Sequence, residues 1–183
     1  MGITYRRGGG QTVSSSFKPN AGETREPDAT GIPHQLVDSD HGVARSVTGW
    51  LTCMAGAAVM WAVRAQPLPA ISSTEAELYG LSTSVADLLG FLNVLEELEV
   101  GYHGTISVLV DSRAARLLAE DCASSARTRH IHRRWYYVEH FINEGIIRLE
   151  AVRGTHNAAN FLTKAVGGSA FGNDRTYALG RDA

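Results

Sequence analysis

The sequence predicts an α/β fold in which one five-stranded mixed sheet is flanked by helices. Three segments of alternating β-branched and aromatic residues follow one another within 34–66, as in an antiparallel meander. Apolar residues at helical spacing then run from 73 to 98. Beyond that helix, strands and helices alternate, and this alternation adds two parallel strands to the antiparallel three.

Each element has its own signal in the sequence. Ser72, Ser73 and Thr74 are good N-cap residues before the long helix, and Gly145 is a typical C-cap. Residues 105–111 are strongly apolar, as in a strand that is buried on both faces. In chain order we predict strands at 34–40, 46–56 and 58–66, a helix at 73–98, a strand at 105–111, helices opening at Ser112 and spanning 129–145, a strand at 146–152 and a short helix at 157–166.

One folded domain is expected between two flexible tails. Residues 1–32 and 167–183 are rich in glycine and small polar residues and lack apolar periodicity, so we assign the domain to 33–166. The chain has 183 residues, 44% of them hydrophobic, which suits a single globular domain. Because no run of about 18 apolar residues occurs, no membrane span is expected.

Charge and cysteine content exclude little. The net charge of −2 does not by itself indicate nucleic-acid binding, so that function depends on local charge. Cys53 and Cys122 match no metal-ligand spacing and predict no disulfide framework, so a reducing, intracellular location is expected. The nucleophile-elbow, P-loop, dinucleotide and zinc-protease motifs do not occur in the sequence.

Three acidic residues stand at positions where a ligand site is expected. Asp38 lies near the end of the first strand, Asp111 ends the fourth, and Glu77 lies near the start of the long helix. Such carboxylates repel one another unless divalent cations neutralise them, and two cations about 3.5–4 Å apart are typical of phosphodiester hydrolysis. Taken singly, the same acids fit a surface helix position, a helix N-terminus and a turn.

Five segments carry a family resemblance. They are VDSDHGVARSVTGW, ISSTEAELYGLS, VLVDSRAARLLAED, ARTRHIHRRWYYVEHFINEG and NAANFLTKAV. In this order the chain resembles the ribonuclease H domain of copia-type (LTR) retrotransposon Pol polyproteins over roughly residues 33–166. The resemblance implies a ribonuclease H-like fold and cleavage of the RNA strand of RNA–DNA hybrids with two Mg²⁺ ions, for which Mn²⁺ can substitute. It also implies the reverse transcriptase part of the same polyprotein as a partner, and a location in cytoplasm, nucleus or virus-like particles.

The resemblance assigns roles residue by residue. Asp38 matches the first catalytic aspartate, and Asp40 the second acid of the family's D-x-D. Glu77 matches the catalytic glutamate and Asp111 the next aspartate. Glu75 is left as a helix-dipole partner or a solvated acid.

The fourth acid is where the sequence departs from the family. Asn160 stands where A-D-x-L-T-K has an aspartate, so one negative charge is lost. The asparagine was introduced to trap a substrate, arose by decay of the copy, or is the working residue of this lineage; the sequence leaves all three open. His156 matches a loop histidine that acts as a proton shuttle or in product release in related ribonucleases H, or is simply an exposed loop residue.

A basic segment supplies candidate nucleic-acid contacts. RTRHIHRR at 127–134 is either a solvated helix start or a clamp for hybrid phosphates. Trp50 and Trp61 are assigned to the core rather than to base stacking. The residues predicted to bind nucleic acid are Arg127, Arg129, His130, Arg133 and Arg134.

Two other functions fit the same residues. One is a hybrid- or dsRNA-binding module that has lost cleavage, which Asn160 favours. The other is an integrase-like relative, against which the S-S-T-E-A-E and R-T-R-H-I segments argue. Cleavage requires the acids and a metal, whereas binding requires only the arginines.

Overall fold

A five-stranded sheet with the strand order β3-β2-β1-β4-β5 forms the centre of the molecule. The computed structural model describes residues 31–41, 45–111 and 129–180. β1 pairs antiparallel with β2 and β2 with β3, whereas β4 joins β1, and β5 joins β4, in parallel. The predicted mixed sheet is therefore confirmed. The strands are β1 His34–Asp40, β2 Val47–Met54, β3 Ala57–Ala65, β4 Ile106–Val110 and β5 Ile147–Ala151, and the helices are α1 Ser73–Glu97, α2 Arg129–Asn143, α3 Asn160–Thr163 and α4 Gly168–Leu179.

Helices cover both faces of the sheet. Successive side chains of a strand point to opposite faces, so Leu36 and Val37 enter two different clusters. α1 and α2 pack on the face of Val37 and Trp50, with Trp135 buried between them and the sheet. α3 and α4 lie on the face of Leu36. Burial on both faces explains why β4, with the sequence ISVLV, is almost entirely apolar.

Ser72 and Glu75 cap the start of α1. The Glu75 N–H donates to Ser72 Oγ at 3.1 Å, and the Glu75 carboxylate accepts from the Ile71 N–H at 2.7 Å. One 18-residue window of α1 has a mean hydropathy of 1.4, enough for a membrane span by length and composition alone. Its apolar side chains, including Leu81 and Leu88, are buried in the core, which accounts for this hydropathy.

The C-terminal boundary differs from the prediction. The sequence predicts a flexible tail at 167–183, but Gly168–Leu179 form α4 and only 181–183 lie outside the described residues. The Phe171 and Phe161 rings meet edge to face at 5.9 Å, and the Tyr177 hydroxyl lies 2.7 Å from His34 Nε2. These contacts are tertiary, so a segment with little apolar periodicity gave no local signal for them. The helix predicted at 157–166 shortens to the single turn of α3.

Predictions for the tryptophans and the remaining segments have mixed outcomes. Trp50 is fully buried as predicted, but Trp61 is 64% exposed, so its assignment to the core is wrong. Trp61 lies on β3, an edge strand of the sheet, where α3 and α4 leave it uncovered. Most of the predicted tail at 1–32 and the helix opening at Ser112 lie outside the described residues.

Candidate metal centre

Three carboxylates converge at the carboxyl edge of the parallel strands. Oxygens of Asp38, Glu77 and Asp111 lie within 4.8 Å of one another. Val37 and Val110 are paired neighbours in the parallel ladder, so the next residue of each strand is one of the two aspartates. Glu77 reaches the same edge from α1, the helix that packs on one face of the sheet. Asp40, at the exposed end of β1, is not part of the cluster.

A glycine lets α1 approach closely enough to deliver Glu77. Gly80 lies one helical turn beyond Glu77, and a Cβ there would be 2.2 Å from Ser39 Oγ and 2.8 Å from Thr48 Cγ2. Those two side chains are hydrogen-bonded to each other at 3.0 Å. The backbone of α1 therefore packs directly against the hydrogen-bonded side chains of Ser39 in β1 and Thr48 in β2.

Gly80→Ala is expected to destabilise the fold by about 1–3 kcal/mol, because the added methyl overlaps Ser39 and Thr48. Urea unfolding of the metal-free chain measures this. Gly90→Ala is the matched control in the same helix, where an added Cβ meets nothing within 4 Å, and it should stabilise by about 0.5–1 kcal/mol. Equal stabilisation by both substitutions would contradict the close approach.

Ionisation of the clustered carboxylates is unfavourable. Burial raises the pKa of Glu77 to about 9, and the charges of Asp111 and Asp38 add to the rise. Burial, followed by the charge of Asp38, also raises the pKa of Asp111. The positive charge of Lys164 offsets part of the rise in both pKa values. A compact set of carboxylate oxygens, from buried Asp38 and half-buried Glu77 and Asp111, suits a hard divalent cation.

Asn160, which is hydrogen-bonded to a neighbour of Asp111, carries a buried amide oxygen without a partner among the described residues. Asn160 Nδ2 donates to the Gly154 carbonyl, while its Oδ1 is buried with no hydrogen-bond partner among the described residues. Gly154 lies close to the cluster, since a Cβ there would be 3.3 Å from Asp111 Oδ2. A buried carbonyl oxygen without a donor has an open position that a cation can fill.

The α3 turn supplies contacts that sequence reasoning missed. The Thr163 hydroxyl donates to Asp38 Oδ2, and Lys164 Nζ lies 3.4 Å from Asp38 Oδ1. The Asn157 amide donates to the Val37 carbonyl at 2.7 Å, tying the start of this segment to β1. In the sequence, residues 161–164 stand out only as part of the family segment NAANFLTKAV. The sequence signal for these contacts is the hydroxyl of Thr163 and the ammonium of Lys164, one helical turn after Asn160.

The other predicted site residues are spread more widely. His156 is exposed in the 3₁₀ turn Gly154–His156. Arg133 is exposed, but the Arg134 guanidinium lies 3.7 Å over the Tyr79 ring and donates to Ser82 at 3.1 Å, tying α2 to α1. Arg127 and the side chains of Arg129 and His130 lie outside the described residues.

Comparison with known proteins identifies similarity in sequence to a Pol polyprotein and in fold to solved ribonucleases H. The chain is 28% identical over 122 residues to the retrovirus-related Pol polyprotein of transposon TNT 1-94 from Nicotiana tabacum. The match covers 67% of this chain and 9% of that polyprotein. No family model matches the sequence.

Solved ribonucleases H share the fold at low identity. Ribonuclease H1 of Halobacterium salinarum NRC-1 has a TM-score of 0.55 at 14% identity, covering 73% of this chain and 94% of that one. LC11-RNase H1, isolated from compost, has 0.57 at 14%, covering 73% and 93%. The N-terminal ribonuclease H domain of a Mycobacterium tuberculosis protein has 0.55 at 13%, covering 80% and 98%. The fold and the sequence relative together confirm the predicted resemblance to the ribonuclease H domain of copia-type retrotransposon Pol polyproteins.

Proposed function

We propose that this chain is an endonuclease that hydrolyses the RNA strand of RNA–DNA hybrids during retrotransposon reverse transcription. The observation that carries the proposal is the convergence of Asp38, Glu77 and Asp111 at one edge of a ribonuclease H fold. The relative among Pol polyproteins supports it. So does LC11-RNase H1, which shares the fold at a TM-score of 0.53 and was solved in complex with an RNA/DNA hybrid.

The residues present fit two Mg²⁺ ions, with Mn²⁺ as a substitute. The carboxylates of Asp38, Glu77 and Asp111 would hold the ions, and Asn160 would add a neutral oxygen. When bound, the ions would activate water and neutralise the charge that develops at the phosphate. The carboxylates must be deprotonated to bind them, so metal binding releases protons from the cluster.

The remaining predicted residues serve substrate binding and turnover in this proposal. Arg127, Arg129, His130 and Arg133 would contact phosphates without reading bases, which makes affinity depend on salt. Arg134 already has protein partners and would mainly hold α2 in place. Exposed His156 would carry protons or assist product release. We also propose the reverse transcriptase part of the same polyprotein as a partner, because the sequence relative is a Pol polyprotein.

Asp111→Asn is expected to lower hybrid cleavage by about 10²- to 10³-fold, because the weakened metal centre stabilises the transition-state charge by several kcal/mol less. A loss of about 1.4 kcal/mol slows the reaction about tenfold. Cleavage of a labelled hybrid in Mg²⁺ measures the effect, and hybrid affinity should change little. Asp87→Asn, which removes a surface partner of Arg64, is the matched control and should cleave normally. Equal, measurable cleavage by the two variants would contradict the proposed centre.

A second function is favoured by Asn160, which leaves one position of the centre without a full charge. In this alternative the chain binds hybrids or dsRNA but does not cleave. The same assay decides between them: the unaltered chain would then bind the hybrid without cutting it in Mg²⁺ or Mn²⁺. Preference for a hybrid over duplex DNA is required by the nuclease proposal.

A further inference from the structure

Lys164 lies on the solvent side of the acidic cluster and reaches into it. Its Nζ is 3.4 Å from Asp38 Oδ1, and the Asp38 side chain is only 1% exposed whereas that of Lys164 is 43% exposed. The stem therefore comes from the surface while the ammonium lies against a buried oxygen. This is an arrangement that a flexible lysine can leave at low cost.

The position of this lysine is built into the fold. α3 packs on β2 at Gly49, where a Cβ would be 2.6 Å from Leu162 Cβ and 3.0 Å from Thr163 Cγ2. Gly49 is the ladder partner of Asp38, so α3 is seated directly beside that carboxylate. The Lys164 N–H also donates to the Asn160 carbonyl at 3.1 Å, which fixes the backbone that bears the ammonium.

Both oxygens of Asp38 are engaged by consecutive residues of this turn. The Thr163 hydroxyl donates to Oδ2 and the Lys164 ammonium faces Oδ1. Hydroxyl groups can turn to suit a new partner, but a unit positive charge at Oδ1 opposes a second cation there. The residue type matters as well, because only two of the chain's 17 basic residues, Lys18 and Lys164, are lysines. An ammonium is a compact point charge on a mobile stem, whereas arginine would bind the carboxylate with a planar fork.

We propose that the Lys164 ammonium is an internal counter-ion that neutralises the acidic cluster in the metal-free protein and competes with divalent cations for Asp38. The inference rests on the proposed metal centre. In the metal-free state the ammonium keeps the carboxylates folded together, and it withdraws toward solvent when a divalent cation binds. The chain thus has higher metal-free stability and weaker metal affinity than the carboxylates alone would give it.

Removing the ammonium tests the competition by binding and stability, without using cleavage. Lys164→Met should lower the Mn²⁺ dissociation constant about tenfold, which corresponds to about 1.4 kcal/mol, in calorimetric titration and in Mn²⁺ electron paramagnetic resonance of the full chain. The same variant in EDTA should melt at a lower temperature, because the cluster loses its counter-ion. Arg148→Met is the matched control, because it removes the same charge from another ion pair, Arg148–Glu150. This pair lies away from the cluster: Arg148 is paired with Ser107, at the opposite end of β4 from Asp111.

The outcomes separate this inference from the proposed nuclease activity. Tighter Mn²⁺ binding with a lower melting temperature supports the counter-ion whether or not the chain cleaves hybrids. Weaker Mn²⁺ binding by Lys164→Met overturns it, because the lysine would then be helping to arrange Asp38 for the metal. Unchanged affinity, or no Mn²⁺ binding by either protein, overturns it as well. Hybrid cleavage by the unaltered chain is scored separately and decides the nuclease proposal.

Discussion

Asn160→Asp is expected to raise hybrid cleavage in Mg²⁺ by about 10- to 100-fold, the range typical of improving or removing a group that supports a metal site. The buried Oδ1 of Asn160 has no donor among the described residues, and the same side chain bonds Gly154, which lies beside Asp111. An aspartate keeps this oxygen and adds a full negative charge. Metal affinity should therefore rise together with the rate.

The same substitution should destabilise the metal-free chain. Asn160 Nδ2 donates to the Gly154 carbonyl, and a carboxylate cannot replace that donor. A further buried negative charge also adds to the repulsion that already raises the pKa of Glu77 and Asp111. Thermal unfolding in EDTA should show a loss of about 1–3 kcal/mol, which Mg²⁺ should reverse.

Asn157→Asp provides the matched control for this experiment. Asn157 is fully buried, and its amide donates to the Val37 carbonyl at 2.7 Å. The substitution should destabilise the chain similarly, but Mg²⁺ should neither restore stability nor raise cleavage beyond that of the unaltered chain. If Asn160→Asp also leaves metal affinity and cleavage unchanged, Asn160 does not take part in holding metal.

Periodicity and one topological rule were enough to predict most of the fold. The alternation at 34–40 predicts β1, which spans His34–Asp40, and the helical spacing at 73–98 predicts α1 to within one residue of its end at Glu97. Because β1 and β4 are parallel neighbours, their carboxyl ends meet, and Asp38 and Asp111 meet with them. The choice of Glu77 over Glu75 came from the family resemblance, since two acids two positions apart look alike in the sequence.

Features that depend on long-range contacts could not be read in the same way. In the sequence, a glycine within a helical pattern indicates only a weaker helix. The side chains that Gly80 approaches, Ser39 and Thr48, lie on strands more than 30 residues earlier. Lys164 meets Asp38 across 126 positions in the chain, through a turn whose place is set by Gly49. Trp61 became exposed because its strand is an edge strand. Such facts belong to tertiary packing, and local patterns do not encode them.

Glu77→Gln is expected to stabilise the metal-free chain above about pH 5 while abolishing its stabilisation by Mg²⁺. The folded chain keeps a proton on Glu77 up to a pKa of about 9, whereas the unfolded chain releases it near 4.5. The unfolded state therefore binds fewer protons in this window, so stability falls as pH rises from about 4.5 to 9, by up to about 1.4 kcal/mol per pH unit. Asp111, with a raised pKa, adds a slope of the same sign.

Melting curves from pH 5 to 9, with EDTA or with Mg²⁺, separate the two effects. Glutamine removes the charge, so the Glu77→Gln curve in EDTA should lose much of its pH slope and lie above that of the unaltered chain at pH 8. Glu75→Gln is the matched control: it weakens the carboxylate's bond to the Ile71 N–H and should cost about 1 kcal/mol while keeping the Mg²⁺ response. Lower stability of Glu77→Gln in EDTA at pH 8 would mean that the Glu77 carboxylate is well satisfied without metal. The cluster would then need no cation, and the acids would support the fold rather than a metal centre.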